Sequence, residues 1–326
     1  MLNIRNARHI TDRLGPGLIT GAADDDPSGL ATYSQAGAQF GAGLLWTMAF
    51  TTPLMIGIQM VSARIGWLTG QGLAASIRRI MPQWMTLTVV ALLVFANTLN
   101  IAADVAAMGE ASQLLIGGGR HELGLLFGVL CTVLPIWLGF NAMVRVLKWL
   151  TLTLLSYVAV VFMLHVNWEA VLVKSLIPKL QGGSAYWTMV VAVLGTTISP
   201  YLFFWQAAQE AEQRQRLDYG TGAERQIAPS ALFVSEHLYR IKLDTTVGMV
   251  FSNVIAFCVI LATALTLNTH GITDIQTTAQ AAEALRPLAG NFAFMLFTFG
   301  ILGTGMLAVP VLAASSAYAV ADALQW

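Results

Sequence analysis

Apolar residues in this chain gather into runs of membrane length, separated by short polar stretches. A helix needs about 17 to 25 mostly apolar residues to cross a hydrocarbon core. Such runs lie at 14–40, 44–66, 84–108, 123–140, 144–166, 185–212, 245–268 and 291–315, so the pattern predicts eight spans. Two of them are interrupted. In the first, LGPGLITGAA (14–23) and the run at 30–40 are each too short to cross, and DDDPSG stands between them. Proline donates no backbone hydrogen bond and disfavours helix in the residue before it, so Asp26-Pro27 should break the helix at mid-membrane. Gly29 permits irregular backbone there. The sixth span, MVVAVLGTTISPYLFFWQAAQE, repeats the interruption about 173 residues later. Pro200 again removes a donor, and carbonyls near Thr196 and Ser199 lose helical partners.

Unwound backbone at that depth survives only where protein or an aqueous cavity solvates it. Paired breaks at corresponding points of two halves point to a transporter built from inverted repeats, with its substrate between the breaks. Five helices per repeat would make helix 1 correspond to helix 6.

Composition supports the same class. Charged residues are 10% and AVILMFWYC residues 56% of the chain, with a mean hydropathy of +0.67. A soluble domain carries about 25% charged residues, so the chain reads as an all-α polytopic membrane protein with the lipid bilayer as its surroundings. A net charge of zero gives no reason to expect a nucleic-acid partner. Cys131 and Cys258 lie in apolar runs and read as small hydrophobic residues. The five histidines (His9, His121, His165, His237, His270) stand at or near segment ends. Neither a His-rich metal motif nor a serine–histidine pair is evident, so no enzyme activity is expected.

Basic residues orient the spans. With a cytoplasmic N-terminus the inner segments collect Arg5, Arg8, Arg13, Arg64, Arg78, Arg79, Arg145, Lys148, Arg214, Arg216, Arg225, Arg240 and Lys242. The outer segments hold Arg120, Lys174, Lys179 and Arg286. Thirteen against four places the N-terminus inside. The expected location is a bacterial cell (inner) membrane. Residues 214–243 read as a partly helical cytoplasmic loop, and 278–290 as a short outer helix stopped near Pro287.

The breaks also give the sign of the substrate. Ionisable residues at mid-membrane are expensive and functional by default. Freed carbonyls and half-helix C-termini attract cations, whereas an anion would need Lys, Arg or half-helix N-termini. Neither break carries a basic residue, so the site is read as a cation site.

With these residues in hand, GPG (15–17), DPSG (26–29), ATYSQAGAQFG (31–41) and SARIG (62–66) resemble the Nramp divalent-metal transporter superfamily. The likeness runs from helix 1 through helix 8 and is closest to the Nramp-related magnesium transporter branch. It implies a leucine-transporter-type inverted-repeat fold, with helices 1–5 as the first repeat and helices 6–8 as an incomplete second one. A full second repeat needs two more helices, so the sequence reads as C-terminally incomplete.

The resemblance assigns Asp26 to the family's metal-binding aspartate and puts Gly29 at its asparagine position. Ser199 stands at the methionine position, Tyr201 at the histidine, and Thr196 at a residue whose carbonyl can face the metal. A thioether favours transition metals, and its loss leaves an all-oxygen site that suits Mg²⁺ and tolerates Mn²⁺. The implied function is transport of Mg²⁺ or Mn²⁺ by alternating access, with the metal as substrate and no cofactor. In proton-coupled relatives the resemblance assigns proton transfer to the helix 1 aspartate (Asp26 here), together with a helix 3 Asp/Glu pair and the helix 6 histidine. Here Asp104 is kept, but Ala107 and Tyr201 replace the other two, which implies metal movement without obligatory proton coupling. The alternatives are a proton-coupled Mn²⁺/Fe²⁺ importer and a sodium-coupled transporter of small organic solutes.

Several further polar residues are candidates. Asp25 is the second choice as a metal ligand, and Asp24 the third; either could instead cap the half-helix after the break. Asn97, Asn100 and Asp104 share one face of helix 3, as an aqueous route or as an interhelical hydrogen-bond stripe. Gln206, Gln209, Glu210 and Gln213 share a face of helix 6, as a vestibule or as a solvated helix end. Asn253 supports the site or bonds a neighbouring helix.

Overall fold

The computed structural model describes residues 15–137, 146, 147, 149–178, 180, 182–218 and 231–326. Arg5, Arg8, Arg13, Arg145, Lys148, Lys179 and Arg225, all used in the charge count, lie outside the described residues, as do the end of the expected fourth span and the start of the fifth. Every regular element among the described residues is helical.

The first span is two helices, α1 (Pro16–Asp24) and α2 (Pro27–Phe40), separated at Asp25 and Asp26. A 3₁₀ turn at Gly41–Leu44 leads into α3 (Leu45–Thr69), which ends on Gly70 at a left-handed φ of 62°. Next come α4 (Leu73–Arg78), the long α5 (Gln83–Ile116) and α6 (Arg120–Trp137). A 3₁₀ turn at Thr151–Leu154 opens α7 (Leu155–Phe162), and α8 (Trp168–Leu176) follows, capped by the Asn167 side chain. The sixth span is again split, into α9 (Ser184–Thr197) and α10 (Pro200–Asp218). The last helices are α11 (Ala231–Thr266) and α12 (Thr278–Leu324).

Residues 214–243, expected to be partly helical, are helical at both ends, because α10 runs on to Asp218 and α11 starts at Ala231; residues 219–230 lie outside the described residues. One expectation needs correction: the helix over residues 278–290 does not stop near Pro287. It continues to Gly290, whose φ of 88° makes the kink joining it to the rest of α12. A proline removes one hydrogen bond and bends a helix, whereas positive φ is the conformation that glycine adopts without steric penalty.

Six stretches among the described residues are long and apolar enough to cross a membrane, the first being Pro27–Thr69, which joins α2 to α3. Their outer faces carry Leu54, Val61, Leu92, Phe95, Leu99 and Leu125 exposed, while Asp24, Asp104, Gln206 and Glu210 are buried. This apolar rim around a polar interior is how a membrane bundle is solvated.

Where α1 crosses α11 the backbones touch. A Cβ on Gly21 would collide with the carbonyl of Gly248, and one on Gly248 with the carbonyl of Gly17. Small residues at such crossings let dispersion contacts and interhelical bonds replace a hydrophobic force that is absent in lipid. Helix α11 thereby carries the first break at a fixed height against its own interior.

Candidate metal centre

The first break is built by capping chemistry. Asp26 is the N-cap of α2, with extended backbone (φ −67°, ψ 162°) and Pro27 at the first helical position. Its Oδ1 accepts from Gly29 N at 2.6 Å and from the Ser28 hydroxyl at 2.8 Å. Oδ2 has no partner among the described residues. Asp104, fully buried on α5, accepts from Ser28 N through Oδ1 at 3.0 Å. Two carboxylates therefore serve one half-helix N-terminus, and Oδ2 of Asp104 remains without a hydrogen bond.

The second break lies against the first. Ile198 leaves the helical region (φ −112°, ψ 66°) at the end of α9, and Pro200 opens α10. Ser199 donates to the carbonyl of Thr196 at 2.7 Å. The Tyr201 hydroxyl donates to the carbonyl of Ala23 at 2.6 Å, and Tyr33 of α2 meets Thr197 at 3.2 Å between hydroxyls. The two breaks approach closely at Gly29, where a Cβ would stand 2.8 Å from Thr196 Oγ1, 3.0 Å from Asp26 Oδ1 and 3.4 Å from the carbonyl of Asp24. Asp26, Gly29, Thr196, Ser199 and Tyr201 are thus neighbours across the two breaks, and Asp104 adjoins them through Ser28. Asp25, between Asp24 and Asp26, is fully buried with both oxygens unbonded. Among the described residues no three His, Cys, Asp or Glu side chains form a ready-made metal-binding group. Backbone carbonyls, hydroxyls and water would therefore complete any coordination shell.

The remaining candidates, Asn100 aside, are engaged elsewhere. Gln206 accepts from Gln59 at 2.6 Å and donates to Thr245 at 2.9 Å, tying α3, α10 and α11 together. Glu210 pairs with Arg240 at 2.6 Å, the carboxylate fully buried and the guanidinium 17% exposed. Gln209 bonds Tyr318, and buried Gln209 and half-buried Gln213 are no solvated helix end. Asn253 accepts from Thr51 at 3.1 Å and donates to Met249 O at 3.1 Å, bridging α3 and α11. On α5, Asn97 holds Leu312 O and Ser316 of α12, while Asn100 is half-buried without a described hydrogen bond.

Two features escaped the sequence pattern. Helix α1 begins at Gly15 with no side-chain cap of its own. Asp244 of α11 supplies one, accepting from Gly15 N at 3.0 Å, Gly17 N at 2.8 Å and Leu18 N at 3.0 Å. The available signal was a GPG start with free amides, which must find an acceptor somewhere. Ser252 was also missed; its hydroxyl donates to Asp24 Oδ2 at 2.9 Å.

Comparison with known proteins follows the same lines. A family profile described as "Natural resistance-associated macrophage protein-like" (Nramp) matches residues 17–326. The chain is 28% identical over 338 residues to a divalent metal cation transporter MntH of Acidiphilium cryptum, covering 94% of this chain and 71% of that protein. It is also 28% identical over 304 residues to one of Yersinia pestis, covering 90% and 68%. Among solved structures, the manganese transporter of Eremococcus coleocola, crystallised with an aromatic bis-isothiourea compound, superposes with a TM-score of 0.75 at 17% identity. That match covers 96% of this chain and 65% of the other, so the chain spans about two thirds of that transporter's length.

Proposed function

The chain belongs to the Nramp family, and on that premise we propose that it carries Mg²⁺ or Mn²⁺ across the bacterial inner membrane by alternating access, without obligatory proton coupling. The ion would sit between the two breaks, held first by Asp26 and then by Asp25, with the backbone at Gly29 and oxygens of Thr196 and Ser199 beside it.

The observation that supports this best is the donor set. Beside Gly29, where the two breaks approach closely, stand Thr196 Oγ1, Asp26 Oδ1 and the carbonyl of Asp24, all oxygen atoms. Hard cations take oxygen ligands, and Mg²⁺ keeps several waters while binding through one or two carboxylates. The sequence of neither break contains methionine or histidine, so softer metals gain no advantage. Without a coupled proton, the ion's own gradient and the inside-negative potential would be the driving force. The potential is worth about 2.3 kcal/mol per charge per 100 mV, and twice that for a divalent ion.

A second reading, a proton-coupled Mn²⁺ importer, is favoured by one observation: Asp104 lies beside Ser28, one residue pair from Asp26. Uptake into proteoliposomes separates the two. Asp26→Ala should abolish Mg²⁺ and Mn²⁺ uptake, and wild-type uptake should proceed with equal pH on both sides. Wild-type uptake that requires an inward proton gradient would establish the second reading instead.

A further inference from the structure

Helix α4 is too short to cross a membrane, since its six residues rise about 9 Å. It stands where α3 ends and α5 begins, and the end of α12 comes down against it. Between α4 and α12 lies a cavity of about 460 Å³, with Gln71, Arg78, Arg79 and Asp322 in its wall.

The cavity has an excess of positive charge. Arg78 Nη1 donates to the carbonyl of Ala323 at 2.6 Å, one of the last carbonyls of α12, which find no partner within their own helix. That bond fixes the guanidinium in the wall and uses one of its five N–H donors. Arg79 is exposed. Neither arginine takes part in an ion pair among the described residues. The carboxylate of Asp322 already accepts from the amide of Ala75 in α4. Two guanidinium groups therefore share the wall with one carboxylate that is committed to a helix amide.

The same segment also carries apolar groups outward. Immediately after Arg79, Ile80 is 86% exposed, Met81 44% and Trp84 68%. Tryptophan gathers at the headgroup level of a bilayer, and exposed apolar side chains beside arginines at a membrane face meet the upper part of the acyl chains. A free anion would satisfy the arginines and leave these three side chains in water. A lipid satisfies both.

We propose that this cavity binds the headgroup of an anionic phospholipid, with Arg78 and Arg79 on its phosphodiester, Gln71 beside its polar end and the acyl chains along Ile80, Met81 and Trp84. Guanidinium forks match phosphate oxygens in pairs, and basic pockets between membrane helices suit acidic headgroups. A lipid seated there would hold α4 against the end of α12. The proposal does not depend on which ion the chain carries.

Native mass spectrometry and thermal unfolding of the purified full chain in detergent test it, with dioleoyl phosphatidylglycerol or dioleoyl phosphatidylcholine added. Phosphatidylglycerol should be retained in preference to phosphatidylcholine and should raise the unfolding midpoint more. Arg79→Gln should weaken phosphatidylglycerol binding about fivefold and leave phosphatidylcholine unchanged. Arg78→Gln should weaken it at least as much; because Arg78 also holds Ala323, Arg79→Gln decides the matter if that variant does not fold. Lys174→Gln, which removes an exposed cation of α8, should change neither lipid. Equal retention of the two lipids, or a phosphatidylglycerol preference that Arg79→Gln leaves unmoved, overturns the site. Stabilisation by glycerol 1-phosphate as large as that by phosphatidylglycerol overturns the lipid as its occupant.

Discussion

The hydroxyl of Tyr201 donates to the carbonyl of Ala23 at 2.6 Å, so the half-helix after the second break is tied to the half-helix before the first. Both partners are buried. A carbonyl released by a helix break thus finds a donor from the other break. The two interruptions form one unit. Ser315 of α12 joins it by donating to the carbonyl of Tyr201 at 2.7 Å.

This bond gives a first prediction. Tyr201→Phe should lower stability by about 1 kcal/mol, the usual net worth of one internal hydrogen bond. The ring still fills its place, so metal-dependent thermal stabilisation should persist. Unfolding curves with and without Mn²⁺ measure both quantities. Loss of the metal effect would mean that the phenol itself belongs to the ion's shell.

The Asp244 cap leads to a second. Three amides of α1 converge on one carboxylate from α11. Asp244→Ala should cost about 1 to 2 kcal/mol, as loss of an N-cap does elsewhere. Asp244→Asn should cost less, since an amide oxygen still accepts. Hydrogen exchange at residues 15–24 should rise in the alanine variant before the rest of the bundle responds. Uniform protection across α1 and α11 would show that the cap is dispensable.

Much of this was legible in the sequence, and the reasons differ by element. The two breaks were visible because Asp26-Pro27 and Ser199-Pro200 interrupt apolar runs that are otherwise long enough to cross. The helical class and the inverted-repeat fold followed from those breaks and the runs around them. The start of α11 was hidden because residues 231–244 include Ser235, Glu236, His237, Arg240, Lys242 and Asp244, a composition that looks like a loop. Membrane helices that project beyond the bilayer lose their apolar signature while keeping their hydrogen bonds. Gln206 and Glu210 looked like a vestibule for a related reason. Helical spacing shows which residues share a face, but not that Gln59 and Arg240 come from other helices to meet them.

The Glu210–Arg240 pair supplies a third prediction. Removing one partner from a buried pair strands the other charge, with a penalty of about 3 kcal/mol or more. Arg240→Gln should therefore destabilise strongly, and adding Glu210→Gln should recover a large part of the loss. A double-mutant cycle on unfolding midpoints in detergent measures the coupling. Additive effects would mean that the pair is solvated in the working protein.

A fourth concerns selectivity. Ser199 lies at the second break with its hydroxyl on the carbonyl of Thr196. Ser199→Met frees that carbonyl and introduces a soft sulfur donor. Competition of Cd²⁺ against Mn²⁺ uptake should then strengthen, while Mg²⁺ weakens. An unchanged order of ions in the variant would place position 199 away from the ion.

The last prediction separates potential from protons. If a divalent ion moves alone, a potential of 100 mV, negative inside, supplies about 4.6 kcal/mol. At about 1.4 kcal/mol per tenfold, that sets a limiting accumulation of roughly three orders of magnitude. Liposomes holding a potassium diffusion potential should accumulate Mg²⁺ or Mn²⁺ with equal pH on both sides, and collapsing the potential should release the excess. Asp104→Asn keeps an oxygen for the amide of Ser28, so the start of α2 should stay capped and uptake should keep its dependence on potential. Internal acidification that accompanies metal entry in the wild type and vanishes in Asp104→Asn would show that a proton travels with the metal through Asp104.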